Sequence, residues 1–217
     1  MKVLFFQDTV GVGGGEIWAI DAASKLRGKG HSVSVGCPSG SWIEHRSEAF
    51  GLPYFGFPIE EELECNLRWQ LADHLCSNEI DVILCSIPGT RTEVPLLESA
   101  IRESGHGSIL LRLGVSPGAG ALSPDRIGLD SSSVRGMVVV SQEVKTRLIG
   151  EFPTLDPSEI HVIYNGADIE RFDPSTFSAS DRQQFRRDLN IPESHKVVST
   201  VGRLDPVKNT SLLVSAS

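Results

Sequence analysis

Nowhere in this 217-residue sequence is there an apolar run long enough to cross a bilayer. The N-terminus carries one lysine and a short apolar run that ends at Asp8, too little for the core of a secretory signal. It reads instead as a first strand, and the expected location is cytoplasmic. Cysteine is scarce. Cys37, Cys65, Cys76 and Cys85 form no C-x-x-C pair, which argues against a zinc site and against a disulfide scaffold, and leaves reduced, mostly buried thiols as the expectation. Basic residues are also in deficit. The formal net charge is −8; residues 181–217 hold six Lys/Arg against four Asp/Glu (+2), so the remainder carries −10. An acidic body lacks the footprint that nucleic acid requires, and association with an anionic membrane gains no support. The six histidines offer no i, i+4 pair and no metal-ligand spacing, and no internal repeat is present. His106 is kept only because it precedes a strand that points toward a possible cleft.

What is present suits a folded α/β chain. Hydrophobic residues make up 40% and charged residues 22% of the sequence, enough apolar material for a core without the charge excess of a disordered segment. Short β-branched runs alternate with helical stretches, the signature of a parallel sheet covered by helices. The predicted strands are 2–6, 31–35, 54–57, 81–85, 108–113, 137–140 and 160–163. The predicted helices are 16–29, 42–50, 60–78, 93–103 and 142–150, the last capped by Ser141. In the third helix Leu63, Leu67, Leu71 and Leu75 fall on one stripe. Turn chemistry at 164–168 and a linker-like Asp173-Pro174-Ser175-Thr176 mark a boundary. Beyond it, Ser180 is expected to cap a helix at 181–189, with a strand at 196–201 and a helix opened by Asn209. One strand and a partial helix cannot enclose a core, so 181–217 reads as the start of a second domain. The expected organisation is 1–167, a linker at 168–180, and 181–217.

Three motifs carry chemistry. Gly11-Val12-Gly13-Gly14-Gly15-Glu16 lies between the first strand and a helix, where bare backbone N–H groups attract phosphate. It departs from the dinucleotide fingerprint twice: Glu16 takes the third glycine position, and the second strand ends Val35-Gly36-Cys37 without an acidic residue for a ribose hydroxyl. A tight turn and close approach to a diphosphate or sugar both remain open. The second motif, Ser199 to Asn209, sets Arg203 and Lys208 at the carboxyl end of a strand and near a helix start, a cradle for a diphosphate if the two are more than surface charge. The third runs from Val138 to Lys145 and from His161 to Phe172, where Asn165-Gly166 supplies a tight turn and Asp168 can cap the turn that follows, an inter-domain joint. Two segments at strand carboxyl ends, Ser86–Arg91 and the long Gly-, Pro- and Ser-rich stretch 114–133, are candidates for contacts to an acceptor.

In their order and spacing, Gly13-Gly14-Gly15-Glu16, Gly30-His31, Val140-Ser141, Val162-Ile163-Tyr164-Asn165-Gly166 with Arg171-Phe172, and Val201-Gly202-Arg203-Leu204 with Lys208 resemble the group-1 retaining glycosyltransferases, also called family 4. The resemblance runs from residue 2 to residue 213. It implies a GT-B fold, in which a Rossmann-like N-terminal domain binds the acceptor and a second Rossmann-like domain, truncated here, holds most of the nucleotide. It implies transfer of a sugar with retention from a nucleotide-diphosphate donor, UDP- or GDP-linked, to a hydroxyl of a glycan, lipid-linked or small-molecule acceptor. No metal or other cofactor is required in such enzymes, and the sequence has no Asp-x-Asp. By the same resemblance Gly13, Gly14, Gly15, Arg203 and Lys208 bind the donor diphosphate, Glu16, Arg91 and Ser116 are acceptor-side candidates, and Asn165 and Gly166 form the hinge.

Two departures qualify this. Many members carry a histidine after the strand that here reads Leu110-Leu111-Arg112-Leu113. Arg112 stands in that neighbourhood, either as an electrostatic group facing the sugar, and so the catalytic candidate, or as the partner of a carboxylate. The family's glutamate-containing donor motif lies beyond residue 217, so these residues alone are expected to be inactive. Two other readings stay open, a Rossmann-type NAD(P)-dependent oxidoreductase or epimerase and a non-catalytic degenerate module.

Overall fold

Alternation along Lys2–Phe6 (β1) decides the architecture. Val3 and Phe5 pack into one apolar cluster, Leu4 and Phe6 into another. A strand buried on both faces belongs in a parallel sheet with helices on either side. The computed structural model describes residues 1–58, 64–87, 93–114, 131–202, 204 and 208–216. It divides into two units, Met1–Asn165 and Gly166–Ser217.

In the first unit β1 is joined by Ser32–Pro38 (β2), Tyr54–Phe57 (β3), Val82–Ile87 (β4), Ile109–Leu113 (β5), Val134–Val139 (β6) and Ile160–Val162 (β7). The order is β3-β2-β1-β4-β5-β6-β7, and every neighbouring pair is parallel. Gly14–Gly28 (α1) and Trp42–Ala49 (α2) bury Ala19, Ile20, Ala23 and Ile43 with Val3, Phe5, Val33 and Val35. Glu64–Asn78 (α3), Glu93–Ser104 (α4) and Gln142–Glu151 (α5) bury Leu67, Leu71, Leu75, Leu97 and Leu148 in the other cluster with Leu4, Phe6, Ile83 and Leu111. The chain runs outward from β1 to β3 and then restarts beside β1 at β4. That reversal opens a crevice beyond the carboxyl ends of β1 and β4, where α/β sheets take their ligands.

Local chemistry sets the ends. Gly30, at φ +88, ends α1 and donates its N–H to the Arg27 carbonyl at 2.9 Å. Ser41 and Ser141 cap α2 and α5 by accepting from the Glu44 and Val144 amides. Gly36 is needed for space: a Cβ there would lie 2.6 Å from the Phe55 ring. Among the described residues of this unit the element bounds differ from expectation most at β2, which continues three residues further to Pro38, and at β6, which starts three residues early at Val134; α1 starts two residues early, with Gly13 in the extended N-cap conformation.

The second unit holds Ala179–Asp188 (α6) and Thr210–Ser215 (α7). The cap of α6 is Ser178 and not Ser180. Ser178 Oγ accepts from the Asp181 amide at 3.1 Å and Asp181 returns the contact to the Ser178 amide at 2.8 Å, a reciprocal box that Ser180 is misplaced to form. The strand expected at 196–201 is absent. Val198 and Val201 are exposed, and no strand exists among the described residues of this unit to pair with one there. Asp168 caps the turn after the joint, its Oδ1 accepting from the Arg171 amide at 3.1 Å.

Candidate active site

The end of β1 delivers Gln7 and Asp8, both buried, to the crevice. Gln7 Nε2 donates to Ser86 Oγ at 3.0 Å, tying the ends of β1 and β4 across the reversal point. The chain then passes through the glycine loop into α1. Gly13 brings no side chain to cap the helix, and the first intrahelical bond is from the Ile17 amide to the Gly13 carbonyl. The amides of Gly14, Gly15 and Glu16 therefore have no acceptor within the helix. Glu16 folds back over this end. Its Oε1 accepts from Thr9 Oγ1 at 2.7 Å, and its Oε2 lies 3.0 Å from where a Gly13 Cβ would stand.

Arg112 enters from β5. Leu111 and Leu113 turn into the cluster under α4, so strict alternation sends Arg112 to the α1 side of the sheet. It is only 3% exposed. Its guanidinium carbon sits 3.8 Å from the centre of the Trp18 ring, and Nη2 donates to Asn165 Oδ1 at 3.2 Å. A Cβ on Gly114 would lie 2.7 Å from Nη1, so a larger residue there would push the guanidinium off its present position. Burial pulls the Arg112 pKa down and the Glu16 carboxylate pushes it back up, and a guanidinium stays charged through such a contest. The result is a fixed cation, a carboxylate and uncapped helix amides at the carboxyl ends of the strands. Such a set can stabilise negative charge and orient hydroxyl groups.

Gly13, Gly14, Gly15, Glu16, Arg112 and Asn165 thus gather in the first unit. Gly166 opens the second unit, and Lys208 is exposed there, two residues before α7. Arg91, Ser116 and Arg203 lie outside the described residues. His106 does not approach the crevice. It precedes β5 and lines an open depression of about 560 Å³ at the amino ends of the strands, with Lys2, Glu79 and Asp81. Among the described residues no three His, Cys, Asp or Glu side chains are grouped to hold a metal. No described helix is long and apolar enough to cross a membrane. Sequence reasoning missed Trp18 and the Gln7–Ser86 tie. A tryptophan two positions after Glu16, off the Ala19–Ala23 stripe, was the available signal. It also passed over Gly114-Val115-Ser116-Pro117-Gly118, which has G-x-S-x-G spacing; a nucleophile elbow also requires a strand-to-helix turn at the serine, and residues 115–118 lie outside those described.

The model of Glycosyltransferase Family 4 matches residues 12–171, which takes in the glycine loop, Arg112 and the joint. The chain belongs to this family. Among curated proteins, the D-inositol 3-phosphate glycosyltransferase of Corynebacterium glutamicum is 39% identical over 80 residues, 37% of this chain and 18% of that protein. The enzyme of the same description from Mycobacterium marinum is 32% identical over 79 residues, 36% of this chain and 16% of that protein. Among solved structures, Anabaena HepE in complex with UDP superposes with a TM-score of 0.80 at 22% identity, covering 100% of this chain and 57% of that one. A glycosyltransferase from Rickettsia africae gives 0.78 at 18%, covering 99% and 56%. The chain thus spans under a fifth of the curated relatives and a little over half of the structural ones. The structural likeness establishes the fold: a seven-stranded parallel Rossmann-like sheet of GT-B type.

Proposed function

We propose that this family 4 chain forms the acceptor side of an enzyme that transfers a sugar from a nucleoside-diphosphate sugar to an acceptor hydroxyl with retention. The observation that carries the reading is the buried Arg112 guanidinium beside the uncapped start of α1, at the carboxyl ends of the strands. Charge develops on the leaving diphosphate in such a transfer, and a preorganised cation and amides are suited to stabilise it. The amides after Gly13, Gly14 and Gly15 approach the donor from this unit, and Arg203 and Lys208 are assigned the diphosphate from the other. Arg112 is the catalytic electrostatic group. Glu16, Arg91 and Ser116 are the candidates for acceptor contacts, and Asn165 and Gly166 serve as hinge between domains at 1–167 and 181–217, joined by 168–180.

UDP is favoured over GDP as the nucleotide because the similar HepE structures hold UDP and UDP-glucose. A small polyol, an inositol phosphate among the candidates, is favoured as acceptor because the similar curated proteins are D-inositol 3-phosphate glycosyltransferases. The reaction is placed in the cytoplasm, where nucleotide sugars are made. The test is UDP release from UDP-glucose by the protein carrying a complete second domain, with Arg203→Ala and Lys208→Ala alongside. Loss of one such charge lowers turnover about 100-fold. Unchanged turnover in both variants removes the diphosphate assignment. Saturable NAD(H) binding without UDP-glucose turnover turns the reading toward an oxidoreductase.

A further inference from the structure

Arg112 is held from three separate parts of the chain. Trp18 lies under the guanidinium, Gly114 leaves room for it, and Asn165 accepts from Nη2. These contacts do different jobs. Attraction to the ring fixes the height of the cation over the indole but only weakly determines its rotation in that plane. A hydrogen bond to one Nη atom is directional and sets where the rest of the fork points. The burial of the two partners is unequal: Arg112 is 3% exposed, whereas Asn165 is exposed and its amide can be satisfied by water. The bond therefore matters to Arg112 far more than to Asn165. Asn165 is also the last residue of the first unit, covalently joined to Gly166, where the second begins.

We propose that Asn165 is a positioning residue that, from the joint between the two units, fixes the direction in which the Trp18-stacked Arg112 guanidinium presents its N–H groups. The consequence for turnover rests on the proposed transferase reading; the positioning itself does not.

Trp18 reports on this directly. With Trp42→Phe and Trp69→Phe it is the one tryptophan left. In that background Asn165→Ala shifts the Trp18 emission and increases its quenching by acrylamide, and Asn165→Asp, which keeps an acceptor in place, restores the parent signal. In an Arg112→Ala background, Asn165→Ala adds no further change. An Asn165→Ala spectrum identical to the parent overturns the proposal, as does an equal change with and without Arg112. The melting temperature of each variant, expected within a few degrees of the parent, separates positioning from unfolding; a collapse of folding in Asn165→Ala alone also overturns it. In sugar transfer by the protein with a complete second domain, Asn165→Ala lowers kcat about 10- to 100-fold with KM for the donor unchanged, the scale of a small misplacement of a reacting group. A spectral response without a kinetic one upholds the positioning and removes Arg112 from the catalytic assignment.

Discussion

Arg112→Met separates a residue kept for chemistry from one kept for folding. The variant preserves a long unbranched stem over Trp18 and deletes the charge. It loses the attraction of a cation for the indole, about 0.5–2 kcal/mol. It also loses one charged hydrogen bond, about 1.5–3 kcal/mol in general, and toward the low end here because exposed Asn165 can turn to water. Against this, the variant no longer holds a nearly buried cation, whose desolvation costs several kcal/mol, and it gains a thioether–indole contact of about 0.3–1.5 kcal/mol. Glu16 is only half-buried, so its carboxylate is not stranded by the change. These contributions cancel to within about 1–2 kcal/mol, and the variant is expected to be as stable as the parent or more so. Urea unfolding followed by tryptophan fluorescence reads this cleanly, because Trp18, Trp42 and Trp69 all lie in the first unit. A loss above about 3 kcal/mol, the cost of breaking a required buried charge contact, would instead make Arg112 a structural tie.

Gly36→Ala forces a Cβ to 2.6 Å from the Phe55 ring and is expected to cost about 1–3 kcal/mol in the same urea assay. Gly28→Ala, at the last residue of α1 with open space around it, is expected to stabilise by about 0.4–1 kcal/mol. Burial pushes the Cys37 thiol up to about 11, against an opposing hydrogen bond from Ser41. The unfolded chain releases that proton near pH 8.5, so the folded state binds more protons above this point and stability falls from there toward about pH 11. A thiol reagent at pH 8 should accordingly label exposed Cys76 while Cys37 reacts only on unfolding. Burial beside Phe55 lowers the His74 pKa, so the unfolded chain takes up the proton first; stability is lost on acidification below about pH 6.5, a slope that His74→Gln should flatten.

The sheet was legible because its signals are local and periodic. Runs such as Val82–Ile87 and the Leu67–Leu71–Leu75 stripe depend on nearest neighbours, and the family resemblance rests on motifs that recur in order. What escaped depended on tertiary partners. A strand at 196–201 requires a neighbour that the described residues of the second unit do not provide, and β-branched composition alone could not supply one. Ser178 and Ser180 are equally good caps by type; the reciprocal bond with Asp181, three residues after Ser178, decides between them. Arg112 was picked out by position, but its indole floor and its amide partner come from residues 94 earlier and 53 later in the chain. No period in the sequence links those three.

A structure of the protein with UDP-glucose bound would show whether the start of α1 and Arg112 meet the donor. Diphosphate or glucosyl oxygens are expected within hydrogen-bonding reach of the amides that begin α1, with the Arg112 guanidinium turned toward them. A ligand seated at the opposite ends of the strands, around Lys2, Glu79 and His106, or an Arg112 that faces away from the bound donor, contradicts that expectation.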